Sequence, residues 1–195
     1  VENSMSYPSI LLASSSLRRR ELLAQLGVSF ELVSGDIDET PNPNELPADY
    51  VQRLAPAKAR AGLARSDGSR PVLGADTIVV ADGQILGKPA DFSVFSHTMQ
   101  QLSGRCHQVM TAIALLDHQR CLQQLVCTEV CFRQLSHDDI ARYWQTGEPL
   151  DKAGGYGIQG LAAKFVQRIN GSYTGVVGLP LCETEQLLLQ WQERR

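Results

Sequence analysis

The chain has 195 residues, 43% of them hydrophobic and 20% charged. That is an ordinary globular composition, long enough for one sizeable core or two smaller lobes. A formal net charge of −3 gives no overall basic field of the kind that draws in a nucleic-acid polymer, and no apolar run approaches the length of a membrane span.

In chain order, strand and helix signals alternate. Ile10-Leu11-Leu12-Ala13 is a short apolar run and Ser14-Ser15-Ser16 a turn. The amphipathic pattern from Leu17 is a helix with serine as its natural N-cap, closed by Gly27. Residues 28–33 read as a strand. The stretch from Asp36 to Pro47 is acidic and carries Pro41 and Pro43, hence a loop. A helix follows over residues 49–65, which Pro56 is expected to kink or split. Residues 71–81 form a long apolar run, a buried strand; Asp82-Gly83 is a hairpin turn and residues 84–86 are the return strand. A helix covers 92–102 and stops near Gly104. Two long strand-like runs, 107–116 and 121–133, flank Asp117-His118-Gln119-Arg120. Ser136 with Asp139 opens a helix by a capping box, reaching Thr146. Glycines crowd 154–160, two short strands are expected at 165–169 and 173–177, and Pro180 precedes a last helix from Glu183.

The pattern defines an α/β fold, a single unit around a long mixed β-sheet flanked by helices. Residues 1–8 read as a processed or added extension ahead of one domain over 9–195. The N-terminal Val1-Glu2-Asn3-Ser4-Met5 lacks the basic and apolar regions of a signal peptide, so a cytoplasmic setting is expected. Cys106, Cys121, Cys127, Cys131 and Cys182 make an odd set with no C-x-x-C. Buried, reduced thiols are expected of them, and no zinc site.

Several residues could carry chemistry. The first turn of a helix carries partial positive charge and disfavours arginine, yet Arg18, Arg19 and Arg20 stand there. Free backbone N–H groups, serine hydroxyls and guanidinium forks together suit phosphate; the alternative is a solvated basic face. Asp76 lies inside the apolar run of residues 72–80. A buried carboxylate needs a partner, a proton or a cation, which makes Asp76 a candidate general base or metal ligand. Asp36, Asp38 and Glu39 are either a solvated acidic loop or hard oxygen ligands for Mg²⁺. Lys58 on its helix and Lys88 between Gly87 and Pro89 are candidate phosphate contacts. In the glycine-rich segment 154–160, Gln159 has both donor and acceptor groups suited to reading a base edge; a tight structural turn is the other reading. That segment has neither Walker spacing nor G-x-G-x-x-G. Asn170-Gly171-Ser172 matches a glycosylation pattern without secretory context. His107 is expected to cap or pack, and His97, His118 and His137 to lie on the surface. No Ser–His–Asp or Cys–His arrangement stands out.

Taken together, these residues resemble the Maf family of nucleoside triphosphate pyrophosphatases, nearly end to end. Ala13-Ser14-Ser15-Ser16-Leu17-Arg18-Arg19 is similar to that family's S-x-S-x-R-R signature, and Leu54-Ala55-Pro56-Ala57-Lys58-Ala59 to its helix lysine motif. Gly74-Ala75-Asp76-Thr77, Gly87-Lys88-Pro89, Leu102-Ser103-Gly104, Asp151-Lys152-Ala153-Gly154, Tyr156-Gly157-Ile158-Gln159-Gly160 and Val177-Gly178-Leu179-Pro180 match further blocks. Leu17, where proline is common, and Pro56 in the lysine helix depart from the pattern.

The resemblance implies a bilobed, ITPase-like architecture with the active site in the cleft between lobes. It implies hydrolysis of a nucleotide between the α- and β-phosphates, giving the monophosphate and pyrophosphate, with Asp76 as proton acceptor for water. Arg18, Thr77 and Gln159 follow the bacterial dTTP/UTP branch rather than the 7-methyl-GTP branch, so a pyrimidine nucleoside triphosphate is the expected substrate. A divalent cation, Mg²⁺ or Mn²⁺, would be held by Glu39 and Asp76. Ser14, Ser16, Arg18, Arg19, Lys58 and Lys88 would bind the phosphates, with Thr77 and Gln159 at the base. A homodimer and a housecleaning role in nucleotide pools are also implied. The rival is a nucleotide-binding regulator of septum formation that acts without turnover.

Overall fold

Parallel pairing of the first strands begins the architecture. The structure, a computed structural model, describes residues 7–193; residues 1–6 of the expected extension lie outside the described residues. The elements in chain order are β1 (Ile10–Ala13), α1 (Leu17–Gln25), β2 (Phe30–Val33), α2 (Pro47–Ala64), β3 (Val72–Ala81), β4 (Gln84–Leu86), α3 (Phe92–Leu102), β5 (Cys106–Leu116), β6 (Cys121–Phe132), α4 (His137–Gln145), β7 (Val166–Asn170), α5 (Tyr173–Val177) and α6 (Leu181–Gln192). Short 3-10 turns fill residues 148–165. The seven strands form one sheet in the order β2-β1-β3-β5-β6-β7, with β4 paired to β3. The sheet is mixed: β1 runs parallel to β2 and β3, while β3–β4 and β6–β7 are antiparallel. Among the described residues, no helix is long and apolar enough to cross a membrane.

The chain divides into two compact units. The first holds residues up to Asp76, then 112–125 and the chain from Gly178 onward. The register Leu11↔Val72 and Leu12↔Leu73 lines the end of β1 up with Gly74. Here α2 covers the sheet. Its Ala59 and Leu63 pack with Leu11, Ala13, Val72 and Leu116. Gly74 lets the two backbones approach unusually closely, because a Cβ there would run into the Ala55 carbonyl oxygen and sit 2.7 Å from Ala59 N. The second unit holds residues 77–111 and 126–177. Phe95, Met99, Phe132, Tyr143, Tyr156 and Phe165 dominate its core.

Three expectations are corrected. Of the kink or split expected at Pro56, the split does not occur: α2 runs unbroken for 18 residues with Pro56 buried inside it. Packing of the buried Leu54, Ala55 and Ala59 outweighs the one hydrogen bond that proline removes. Residues 173–177 are helix, not strand. Ser172 ends the preceding turn by accepting Gly175 N–H on its hydroxyl (3.0 Å) and Val176 N–H on its carbonyl (3.1 Å), and this cap overrides the strand preference of Tyr, Thr and Val. None of the five cysteines is the buried free thiol expected. Cys106 and Cys131 form a disulfide across β5 and β6, and Cys121, Cys127 and Cys182 are free but exposed. The sulfurs of Cys106 and Cys131 lie with the Glu129 carboxylate in one cluster, which Arg168 also enters by pairing with Glu129 at 2.7 Å. A disulfide beside a guanidinium offers a cation little.

Candidate active site

In the first unit, the turn after β1 starts the site. Ser14 Oγ accepts Ser16 N–H (3.1 Å), and Ser16 Oγ accepts Arg19 N–H (3.4 Å) as the N-cap of α1. Leu17 fills the first helical position exposed to solvent, so the helix starts from the serine cap without a proline. No acidic residue occupies the first turn, which leaves its positive end unneutralised. Arg18 and Arg19 are half-buried and Arg20 is exposed, as expected of a cluster in which Arg20 stands outside the signature. Arg19 Nε donates to the Gly178 carbonyl at 2.8 Å. Burial lowers the Arg19 pKa, with Arg18 adding to that; the negative charges of Asp76 and Glu39 oppose it.

Across from that helix start lies an ion-pair network. Lys58 Nζ sits 2.6 Å from Asp76 Oδ1 and 2.8 Å from Glu39 Oε1. Asp76 is 6% exposed, so its carboxylate is compensated by an ammonium rather than by water. The lysine reaches it because Gly74 brings β3 against α2 at Ala55 and Ala59. Glu39 comes from the acidic loop, and that loop is tied down. Tyr50 OH donates to the Glu39 carbonyl (2.8 Å), and Arg53 donates to the Thr40 carbonyl and both Glu45 oxygens. Burial, then the charges of Asp76 and Glu39, raise the Tyr50 pKa. Two carboxylates therefore converge on one cationic position with hard oxygen donors, a set that fits Mg²⁺ or Mn²⁺. Tyr50 and Arg53 escaped the sequence reading because both sit in an ordinary amphipathic helix pattern. Asp36 and Asp38 do not join the network; Asp36 bonds Ser34 and Asp38 bonds Thr40 within the loop.

In the second unit, Thr77 follows Asp76 on β3, so the two side chains leave opposite faces of the strand. Thr111 donates its hydroxyl proton to the Gly175 carbonyl (2.7 Å), and Thr77 Oγ1 lies 2.9 Å from Thr111 Oγ1. Lys88 is exposed, on a segment fixed by Gly154 N–H bonding the Gly87 carbonyl (3.2 Å). Gln159 is exposed in a turn closed by Gly160 N–H to the Gly157 carbonyl (3.0 Å). His107 packs as expected, buried with Nε2 2.6 Å from Tyr156 OH, and His97, His118 and His137 are exposed.

An α/β scaffold that sets an arginine-flanked helix start beside a lysine shared by two carboxylates is a protein equipped for a polyanionic ligand. The chain belongs to the Maf-like protein family, whose profile matches residues 9–191. It is 58% identical over 179 residues to the dTTP/UTP pyrophosphatase of Pseudoalteromonas translucida (strain TAC 125), covering 92% of this chain and 95% of that relative. It is 54% identical over 187 residues to the dTTP/UTP pyrophosphatase of Escherichia coli O157:H7, covering 96% and 95%. A solved nucleoside-triphosphatase (dITP/XTP pyrophosphatase) from Mycobacterium abscessus aligns at 20% identity with a TM-score of 0.42, over 65% of this chain and 75% of its own; so loose a match bears no weight on the fold.

Proposed function

We propose that this protein is a nucleoside triphosphate pyrophosphatase that hydrolyses dTTP and UTP to the monophosphate and pyrophosphate. The observation that carries the reading is the Glu39–Lys58–Asp76 network beside the Arg18–Arg19 helix start. Relatives at 58% and 54% identity over nearly their whole length bear the same substrate name. In this reading Ser14, Ser16, Arg18, Arg19, Lys58 and Lys88 bind the triphosphate, and Thr77 and Gln159 take the pyrimidine. Asp76 accepts a proton from water as its oxygen bonds to the α-phosphorus. The α–β bridging P–O bond breaks, and the cationic side chains meet the charge that appears on the leaving pyrophosphate. Glu39 and Asp76 would hold Mg²⁺ or Mn²⁺, which when bound supplies further neutralisation of phosphate oxygens. Three cations, Arg18, Arg19 and Lys58, face two carboxylates, leaving net positive charge for the polyanion. A binding regulator without turnover has no use for a buried carboxylate among those cations.

A cytoplasmic setting belongs to the same reading; the exposed free thiols accord with it and the Cys106–Cys131 disulfide does not. A housecleaning role and a homodimer also belong to it; light scattering tests the latter. The deciding experiment is pyrophosphate release from dTTP, UTP, CTP, 7-methyl-GTP and ITP, with and without Mg²⁺, by the native chain and by Asp76→Asn. The variant should bind nucleotide and lose roughly 10²–10⁴-fold in turnover. Retained turnover removes Asp76 as the base, and no release from any nucleotide removes the enzyme.

A further inference from the structure

Gln159 sits in a turn bounded by Gly157 and Gly160, where Ile158 packs inward and Gln159 itself is exposed. Two residues from outside the turn hold its main chain on either side of Gln159. Tyr143 on α4 is 2% exposed, with its ring edge-on to Phe165 at 5.4 Å and 5.9 Å from that of Phe95. Its hydroxyl accepts Gly157 N–H (3.1 Å) and donates to Glu148 Oε1 (2.8 Å). The other Glu148 oxygen, Oε2, accepts Leu161 N–H (3.0 Å). The main-chain N–H groups two residues before and two residues after Gln159 thus end on one hydrogen-bonded pair. The carboxylate also lies flat against Gly160, where a Cβ would collide with both oxygens. Lys152 Nζ donates to the Glu148 carbonyl (3.0 Å), fixing the main chain from which the carboxylate projects.

The geometry points to Tyr143 and Glu148 as positioning residues for nucleobase selection: together they brace the turn that carries Gln159, so that its amide meets one base edge and rejects another. This rests on the proposed reading of Gln159 as the base contact. Uracil and cytosine present opposite donor–acceptor patterns at ring positions 3 and 4, so a primary amide separates them only if its oxygen and nitrogen stay put. A turn left to its glycines would spend binding free energy on ordering itself. Tyr143 is anchored in an aromatic core, and a buried ring has few rotamers to lose, so the brace is stiff.

The test measures kcat and KM for UTP and CTP, with Tm, in the native chain and in Gln159→Ala, Tyr143→Phe, Glu148→Ala and Glu148→Gln. Gln159→Ala should lower the UTP-to-CTP ratio of kcat/KM. Tyr143→Phe and Glu148→Ala should each lower that ratio roughly tenfold, through KM for UTP and with kcat nearly unchanged, the size expected for one lost positioned hydrogen bond. Glu148→Gln should recover part of it, since its amide oxygen still accepts Leu161 N–H. Amide exchange at Gly157 should quicken in Tyr143→Phe, and at Leu161 in Glu148→Ala. If Gln159→Ala lowers the ratio but Tyr143→Phe and both Glu148 variants keep it, the brace is refuted and the base reading stands. If Gln159→Ala leaves the ratio unchanged, the base reading fails and the brace loses its purpose. Loss of kcat and Tm at constant ratio overturns the proposal in favour of a structural role. Should Glu148→Ala not fold, Tyr143→Phe and Glu148→Gln carry the same outcomes.

Discussion

Replacing His107 by glutamine should flatten the acid limb of the stability curve between pH 6.5 and 4. His107 is 4% exposed in an aromatic box formed by Phe132 and Tyr156. Its Nε2 has Tyr156 OH at 2.6 Å, and Nδ1 has no partner among the described residues. Protonation would place a charged ring with an unaccepted N–H in apolar surroundings, and burial accordingly lowers its pKa from 6.5 to about 4. The folded state therefore refuses a proton that the unfolded chain accepts below pH 6.5. Stability is full above that pH and is lost as pH falls toward about 4, because the unfolded state binds the extra proton throughout the interval. An interval of roughly 2.5 pH units at about 1.4 kcal/mol each gives about 3 kcal/mol at saturation, and about 2 kcal/mol by pH 5. Urea denaturation of the native chain and of His107→Gln at pH 8, 6 and 5 measures it. The variant keeps a polar group for Tyr156 and removes the titration. Carboxylates paired in the fold act mostly below pH 4.5 and are common to both proteins, so they cancel in the difference. Parallel pH profiles for the two proteins would refute the reasoning.

Gly74→Ala should cost about 2 kcal/mol in chemical unfolding, because the new methyl meets the Ala55 carbonyl and Ala59 N, both backbone; an unchanged midpoint would show that α2 can slide away. Lys58→Met leaves Asp76 buried without its cation, and should destabilise by about 3 kcal/mol, with part returned by added MgCl₂ in a thermal scan. Equal Tm with and without Mg²⁺ would count against a cation at Glu39 and Asp76. Arg53 lowers the Glu45 pKa to about 2, so its contribution is present above the ordinary carboxylate range and disappears as pH falls toward 2. Glu45→Gln should then show a flatter Tm profile between pH 5 and 2.5. Arg20→Ala should leave pyrophosphate release unchanged because Arg20 is exposed, whereas Arg19→Ala should raise KM at least tenfold.

Local chemistry made most of the fold legible. The Ser16 cap, the Asp82-Gly83 turn and the Ser136–Asp139 capping box each stand where their residues predict. The misses share a cause. Residues 173–177 have the composition of a strand, and only Ser172 together with the bond from Thr111 to the Gly175 carbonyl makes them a helix. Cys106 and Cys131 are 25 residues apart, and their pairing depends on a cross-strand register that no local pattern encodes. Of the candidate site, Lys58 and Asp76 could be picked singly as a helix lysine and a carboxylate in an apolar run, but their ion pair could not. Tyr50, Tyr143 and Glu148 were invisible because a tyrosine on an apolar helix face and a glutamate in a loop have ordinary structural uses.

The small residues explain why the charged ones can be where they are. A carboxylate as buried as Asp76 would be costly alone, so its place in β3 depends on a cation delivered from α2 without solvent. Lys58 can deliver one only if its helix lies close to the strand, and that distance is set by what is absent: no Cβ at Gly74, and only methyls at Ala55 and Ala59. The blocks Gly74-Ala75-Asp76 and Ala55-Pro56-Ala57-Lys58 are thus two halves of one contact. A larger residue at position 74 would push back the helix and strand the carboxylate, although neither Asp76 nor Lys58 had been touched. Pro56 is tolerated for the same reason, since the face it joins is buried and the packing of its neighbours, rather than an unbroken hydrogen-bond ladder, holds Lys58 at 2.6 Å from Asp76.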